Sequence, residues 1–380
     1  MSDDFVTKKE LVRLLDRVSE FDQLVFESFD GEEYSFDDSP LNITGIQQPF
    51  ELLIPKTYWT KEDFTKTRSQ ISIEGITKDK NDNRQLLIRL DEVSQDFETT
   101  SDAIAQLFEP MKLNKYMAHL LSDDTTDHFE HILYIFDYWF RKLDADREIL
   151  IRTVKEEGKY IVRCFASTEY RPIDNHALLY ITCHALNKLN LQFNLQSYSL
   201  KHSEMKLNIF SEDKIEIPDV GTLTYGFTVL NSETKDKTVG FHPTFELTNE
   251  DNSQTSLILD KPISIYHRGK SVEPIIEKLE EIQNLNEHLE TVLETIKIAK
   301  NEKVTDEFAY KLTREISIIV GKTKYEKFEK EYLDIARLNT YNLLQFFGRL
   351  HELDVDDDEK EFKLRVIFWK ALNNHINNDE

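Results

Sequence analysis

The sequence predicts an α+β protein with a strand-rich N-terminal part, a central mixed α/β core holding an antiparallel sheet, and a helical C-terminal third. Three observations predict it. Short alternating apolar segments broken by Asp, Asn and Gly turns run from Leu24 to Leu90. Longer alternating segments, with one helical pattern among them, fill residues 147–265. Beyond that point apolar residues step by threes and fours through charged sequence. With 380 residues the chain is long enough for two or three folding units. The expected divisions are a β-rich region at 1–98, a helical segment at 99–146, an α+β core at 147–270 and a helical region with a helical hairpin at 271–380.

In chain order, Thr7 and Glu10 form a capping-box pattern that opens a short helix through Leu11, Leu14, Leu15 and Val18. LVFESF and YSF read as strands about the turn signal Asp30-Gly31. ISIEGITK and RQLLIRL read as a hairpin whose loop, Lys78–Asn83, is rich in Asp and Asn. Ser101 is the expected cap of a helix over 102–110. Phe129, Leu133, Phe136, Trp139 and Phe140 predict a helix over 126–143. ILIRTV and YIVRCFA form a second hairpin, and residues 175–189 a core helix containing Cys183-His184. Five strand segments follow, from LQFNLQSYSL to SLILDKPISIYH. A helix at 273–300 carries a narrow apolar stripe, interrupted by Asn286. The spacing pairs it with a helix at 305–320 as an antiparallel hairpin, rather than with its own copy in a coiled coil. Helices at 323–352, broken near Asn339, and at 359–376 complete the chain, with the acidic linker Asp354–Glu359 between them.

The net charge of −24 is distributed as −15 over residues 1–150, −1 over 151–270 and −8 over 271–380. Bulk acid repels nucleic acid and anionic membranes, whereas a nearly neutral centre can still hold a basic patch; Lys261, Arg268 and Lys270 give residues 261–270 a charge of +3. Two cysteines make neither a disulfide framework nor a four-thiolate zinc site. The N-terminal MSDDFVTKKE has no apolar leader, and no run approaches the roughly 18 apolar residues of a membrane span. A reducing cytoplasm is the expected compartment.

Most familiar motifs fail on inspection. Gly321-Lys322-Thr323 follows a helix and lacks the upstream glycine of a phosphate loop, so Gly321 reads as a helix C-cap. His128 and His131 share a helix face but have no matching second cluster, which favours an ordinary helix surface over a metal site. The polar segments that remain sit at strand ends: Tyr170–Asn175, Asn231-Ser232-Glu233 and His267-Arg268-Gly269-Lys270.

Together these three segments carry a resemblance. RCFASTEYRPIDN at Arg163–Asn175 resembles the RCFxSxxYRPxDN-like run of the phage/plasmid-like domain-of-unknown-function family, found in bacteriophages, prophages, plasmids and integrative elements. LNSETKDKTVGFHPTFELTN matches its SNSE-containing segment at Asn231, Ser232 and Glu233, and the basic segment at 267–270 leads into a long helix as in members. The resemblance covers roughly residues 147–300. Members often continue CTNG after the aromatic strand, where this chain has Leu247-Thr248-Asn249-Glu250. The family carries no assigned reaction, so the resemblance implies a context: mobile DNA in a bacterial host cytoplasm.

Three functions fit these features. The first is a non-catalytic single-strand binding or annealing protein. Alternating aromatics (Phe193, Tyr198, Tyr225, Phe227, Phe241, Phe245 and Tyr266) would stack bases, while Arg171, Asn175, Asn231, Arg268 and Lys270 contact nucleic acid. The second is a magnesium-dependent enzyme of nucleotides or nucleic acid, with Asp174 and Glu233 as metal ligands and His267 as acid or base. No other cofactor is expected. The third is an acidic interaction factor, a virion component or host-defence inhibitor, that occupies a basic host or phage protein. The competing reading of the aromatics is core packing, and the oligomeric state is open.

Overall fold

The computed structural model describes residues 5–377 apart from 17–18, 30–37, 142–143, 190, 235–237, 251–252, 261, 266–274, 276, 279–280, 333–340, 354 and 356. It is α+β, with two sheets and helices concentrated in the C-terminal part. Helices α1 (Lys8–Leu11), α2 (Glu20–Ser28) and α3 (Gln47–Leu53) flank the two-residue strand β1 (Ile43–Thr44). The capping box forms: the Glu10 amide donates to Thr7 Oγ1 and the Thr7 amide to Glu10 Oε2. LVFESF, expected as a strand, lies in α2. Ser19 caps that helix by accepting from the Asp22 amide, and the periodicity of six apolar-rich residues cannot separate the two states. YSF lies outside the described residues.

The first sheet contains β2 (Thr60–Thr67), β3 (Ile71–Lys78), β4 (Arg84–Leu90), β5 (Asp96–Thr99), β6 (Glu148–Glu156) and β7 (Lys159–Ser167), in the order β2-β6-β7-β5-β4-β3. All its pairs are antiparallel except β5 with β7. Both expected hairpins form, and the Asp79 carboxylate closes the β3–β4 loop by accepting from the Asn81 and Asn83 amides. Between β5 and β6 come α4 (Ser101–Phe108), α5 (Asn114–Ser122) and α6 (Phe129–Ile135), the last running into a π-helical turn at Phe136–Arg141. The cap of α4 is Thr100 rather than Ser101. These helices bury Leu107, Phe108, Met117, Ile132 and Phe136 in one core with Ile71, Leu86, Ile88, Phe97 and Val162 of the sheet.

A second core gathers the rest. Its sheet runs β1-β8-β9-β10-β11-β12, built from β8 (Phe193–Leu200), β9 (Glu204–Ile217), β10 (Gly221–Ser232), β11 (Val239–Asn249) and β12 (Gln254–Ile258), with β13 (Ile263–Ile265) also paired to β11. Helix α7 (Asn175–Asn187) packs on β10 and β1, and α2 and α3 pack on α7. Strands β6 and β7 complete the sheet begun by β2–β5, while residues 5–53 share a core with the second sheet and the C-terminal helices.

Those helices are α8 (Leu285–Ala299), α9 (Asp306–Val320), α10 (Lys322–Tyr332), α11 (Leu343–His351) and α12 (Asp358–Asn377). Helices α8 and α9, expected as an antiparallel hairpin, both pack on α12, which is how α8 comes to bury Val292, Ile296 and Ala299 completely. The Asn286 side chain lies outside the described residues. Gly321, at φ 89°, is the C-cap of α9.

The β9–β10 register shifts between Thr224 and Gly226, where the strands approach closely. A Cβ on Gly226 would sit 2.0 Å from the Ile209 carbonyl oxygen, whereas one on Gly75, beside the β3–β4 irregularity, meets nothing within 4 Å. Gly226→Ala should therefore cost roughly 1–3 kcal/mol in urea unfolding. Gly75→Ala should stay within about 0.5 kcal/mol of the parent.

Candidate functional site

The site begins with a face of the first sheet that its helices leave uncovered. Lys61 and Asp63 alternate to one side of β2, and Asp63 lies directly opposite Arg152 of β6. In the β6–β7 ladder, Arg152 pairs with Cys164 and Thr153 with Val162, which leaves Arg163 as the extra residue of a bulge. The bulge sends a second guanidinium toward the second sheet. Arg152 and Arg163 are both about 1% exposed, so each charge needs a partner inside the protein.

Glu233, which follows β10 in the second sheet, is the principal partner. Its side chain is fully buried. Lys61 Nζ donates to both carboxylate oxygens, at 2.6 and 2.8 Å, and Arg163 Nη1 donates to Oε2. The Asn175 amide, in the first turn of α7, donates to Oε1 at 2.7 Å. That helix is thus capped by a carboxylate 58 residues away, where the negative charge also faces the positive end of the helix dipole. Asp174, the formal N-cap, makes no side-chain cap bond. It accepts instead from Arg152 Nη2 at 2.6 Å, while Arg152 Nη1 donates to the Glu233 carbonyl and Nε donates to Asp63. Asn231 Nδ2 bridges the Ile173 carbonyl and Asn175 Oδ1, both at 2.8 Å.

Three cations and three carboxylates therefore cancel inside one cluster. Burial opposes charge on every member, but Arg152, Lys61 and Arg163 hold Asp174 well below the usual carboxylate range. Burial and Asp174 push Glu233 upward, and Lys61, Arg163 and Arg152 overcome them to leave it lowered. Among the described residues Lys61 has only Glu233 as a bonded counter-ion, and burial depresses its ammonium below the ordinary value. Beside the cluster, His176 Nε2 meets Asp22 Oδ2 at 2.9 Å. Burial alone would lower that imidazole; the Asp22 hydrogen bond and charge outweigh it and hold it raised.

Two cavities flank the cluster. One, of about 520 Å³, is lined by Lys61, Asp63, Arg152, Asp174 and His176 together with Trp59. The other, of about 790 Å³, is lined by Arg163, Asn231, His202, Lys201, Lys206 and Lys363 among others. Among the described residues Arg163 Nε and Nη2 and Asn231 Oδ1 have no hydrogen-bond partner.

Of the residues expected from sequence, Asp174, Asn175, Asn231 and Glu233 meet in this cluster. The Arg171 guanidinium lies 5.1 Å from the Phe21 ring centre. Arg268, Lys270, His267 and Tyr266 lie outside the described residues. Both Glu233 oxygens and Asp174 Oδ1 accept from protein cations, and a magnesium ion would add two charges where three cations already stand. Among the described residues no group of three or more His, Cys, Asp or Glu is arranged to hold a metal. His128 bonds Asp123 and His131 bonds Tyr116. Phe193, Phe227, Phe241 and Phe245 are core residues, Tyr225 is buried and Tyr198 half-buried, so they offer no open stacking platform. Sequence reasoning missed Lys61, Asp63, Arg152 and Arg163 as site residues. Only the alternation of Lys61 with Asp63, and Arg152 directly after the apolar run Ile149–Ile151, hinted at a polar sheet face. No family model, curated protein or solved structure matches the chain.

Replacing Glu233 by Gln leaves Lys61 and Arg163 short of a counter-ion and should cost about 3–5 kcal/mol in urea unfolding. Asp63→Asn, at the partly exposed margin of the cluster, should cost less. A raised folded-state pKa on His176 means that its pairing with Asp22 contributes fully below the ordinary histidine value of about 6.5 and is lost as pH rises through the folded value. The stability difference between the parent and His176→Gln should accordingly shrink with rising pH across that window.

Proposed function

We propose that this chain is a non-catalytic nucleic-acid-handling protein of a phage or other mobile element, active in the cytoplasm of a bacterial host, and that it holds single-stranded nucleic acid where the two sheets meet. The observation that carries the reading is Arg163. A bulge directs this buried guanidinium between the sheets, two of its nitrogens, Nε and Nη2, have no acceptor among the described residues, and it lines the larger cavity. Lys201, Lys206 and Lys363 line the same cavity, among acidic residues that include Glu204, Asp358 and Glu359. The resemblance of the clustered segments to a family of mobile elements supports the same context.

The charge balance sets how such binding behaves. Lys201 pairs with Glu204, Lys206 with Asp358 and Lys363 with Glu359, so phosphates must displace carboxylates to reach the lysines. The net charge of −24 repels the strand at long range. Binding is therefore weak and steep in salt, with sequence contributing little because the contacts are to backbone.

Fluorescence anisotropy with labelled single-stranded oligonucleotides, titrated in salt, tests this. Binding should be measurable at low salt, and Lys201→Ala/Lys206→Ala should weaken it while lowering the log–log salt slope by roughly 0.7 per lost contact. Absence of binding at low salt, or an unchanged slope in that variant, overturns the proposal.

A further inference from the structure

The outward side of α6 and its π-helical continuation keeps large aromatic rings in water. Tyr134, Tyr138 and Trp139 are 66%, 44% and 44% exposed. They form one surface: the Tyr134 and Tyr138 rings stack with centroids 6.2 Å apart, and Tyr138 meets Trp139 edge-on at 5.3 Å. Tyr116 of α5 extends it, with its hydroxyl 2.9 Å from His131 Nε2. The other side of the same element buries Ile132, Ile135, Phe136 and Phe140 in the first core. The core is therefore filled without the exposed rings, and a contiguous exposed aromatic group marks a contact surface.

The stretch that carries these rings is acidic, with Lys112 and Lys115 before it and Arg141 and Lys142 after it. From Tyr116 to Phe140 the sequence carries Asp123, Asp124, Asp127, Glu130 and Asp137 and no Lys or Arg. Glu130 is exposed one helical turn before Tyr134, and Asp124 and Asp127 are exposed at the start of the element. Arg84, which packs under this start, is committed to the carbonyl oxygens of Asp123, Asp124 and Thr126.

We infer that this face docks an arginine-rich segment of a partner protein. Ring faces attract a guanidinium through their quadrupole, and a planar guanidinium also stacks on them, which an ammonium does not. The surrounding carboxylates complement the same cation and repel a nucleic-acid backbone, so stacked bases are the poorer occupant. This site is separate from the cleft between the sheets, and it stands or falls independently of the nucleic-acid reading.

Anisotropy of a labelled octa-arginine peptide with the intact chain tests the assignment. Binding at low salt should exceed that of octa-lysine. Tyr134→Ala/Tyr138→Ala should weaken it about tenfold, as expected for two exposed cation–π contacts. Asp127→Asn/Glu130→Gln should weaken it severalfold, and Glu307→Gln/Glu326→Gln, an equal charge change on α9 and α10, should leave it unaltered. All substituted residues are exposed, and thermal melting checks that each variant folds. Parent-like peptide binding by the aromatic variant overturns the inference. So does an equal loss in the α9/α10 variant, which would mean diffuse attraction to an acidic chain. Two other results also overturn it: loss of oligonucleotide rather than peptide binding in the aromatic variant, and loss of self-association there, which would make the occupant a second copy.

Discussion

One buried carboxylate ties the molecule together. Glu233 brings a full negative charge into a region that excludes water, and that is tolerable only because Lys61, Arg163 and the first turn of α7 all reach it. Those partners come from β2, β7 and a helix of the second core. The charge is neutralised only when both sheets and α7 stand in register, so this contact discriminates the correct arrangement from slipped ones. Arg152 reinforces it by joining Asp63, Asp174 and the Glu233 carbonyl through three different nitrogens.

The same neutrality shapes the rest of the molecule. Because three cations inside are matched by three carboxylates, the net charge of −24 is carried by the other residues, and the cavities beside the cluster adjoin a site that is polar but nearly uncharged. The site's unspent capacity is in hydrogen bonds: two donors on Arg163 and an acceptor on Asn231. These groups supply direction, while charge at the larger cavity falls to Lys201, Lys206 and Lys363 in its lining. At the acidic, aromatic face of α6, charge and ring quadrupoles together provide the attraction.

Local signals in the chain are accurate where the cause is local. The Thr7–Glu10 capping box, the Asp79 loop and the Gly321 C-cap follow from atoms a few residues apart. LVFESF shows the limit of such signals: six residues are compatible with either period, and the Ser19 cap with packing of α2 on α7 selects the helix. The strand aromatics show it again. Alternation reveals that a sheet has two different faces but not what covers them, and here they are buried in the core.

The sequence by itself determined the α+β class, the order of most elements and the three polar segments, two of which meet at the site, because turn chemistry and side-chain period act over a few residues. Tertiary structure alone decided that β6 and β7 complete the first sheet, and that Lys61, Asp63, Arg152 and Arg163 surround Asp174 and Glu233. A bulge that leaves one residue unpaired, and a helix capped by a carboxylate 58 residues away, have no local trace. The free energy that selects them is that of pairing buried charges, which exists only after the chain has brought distant strands together.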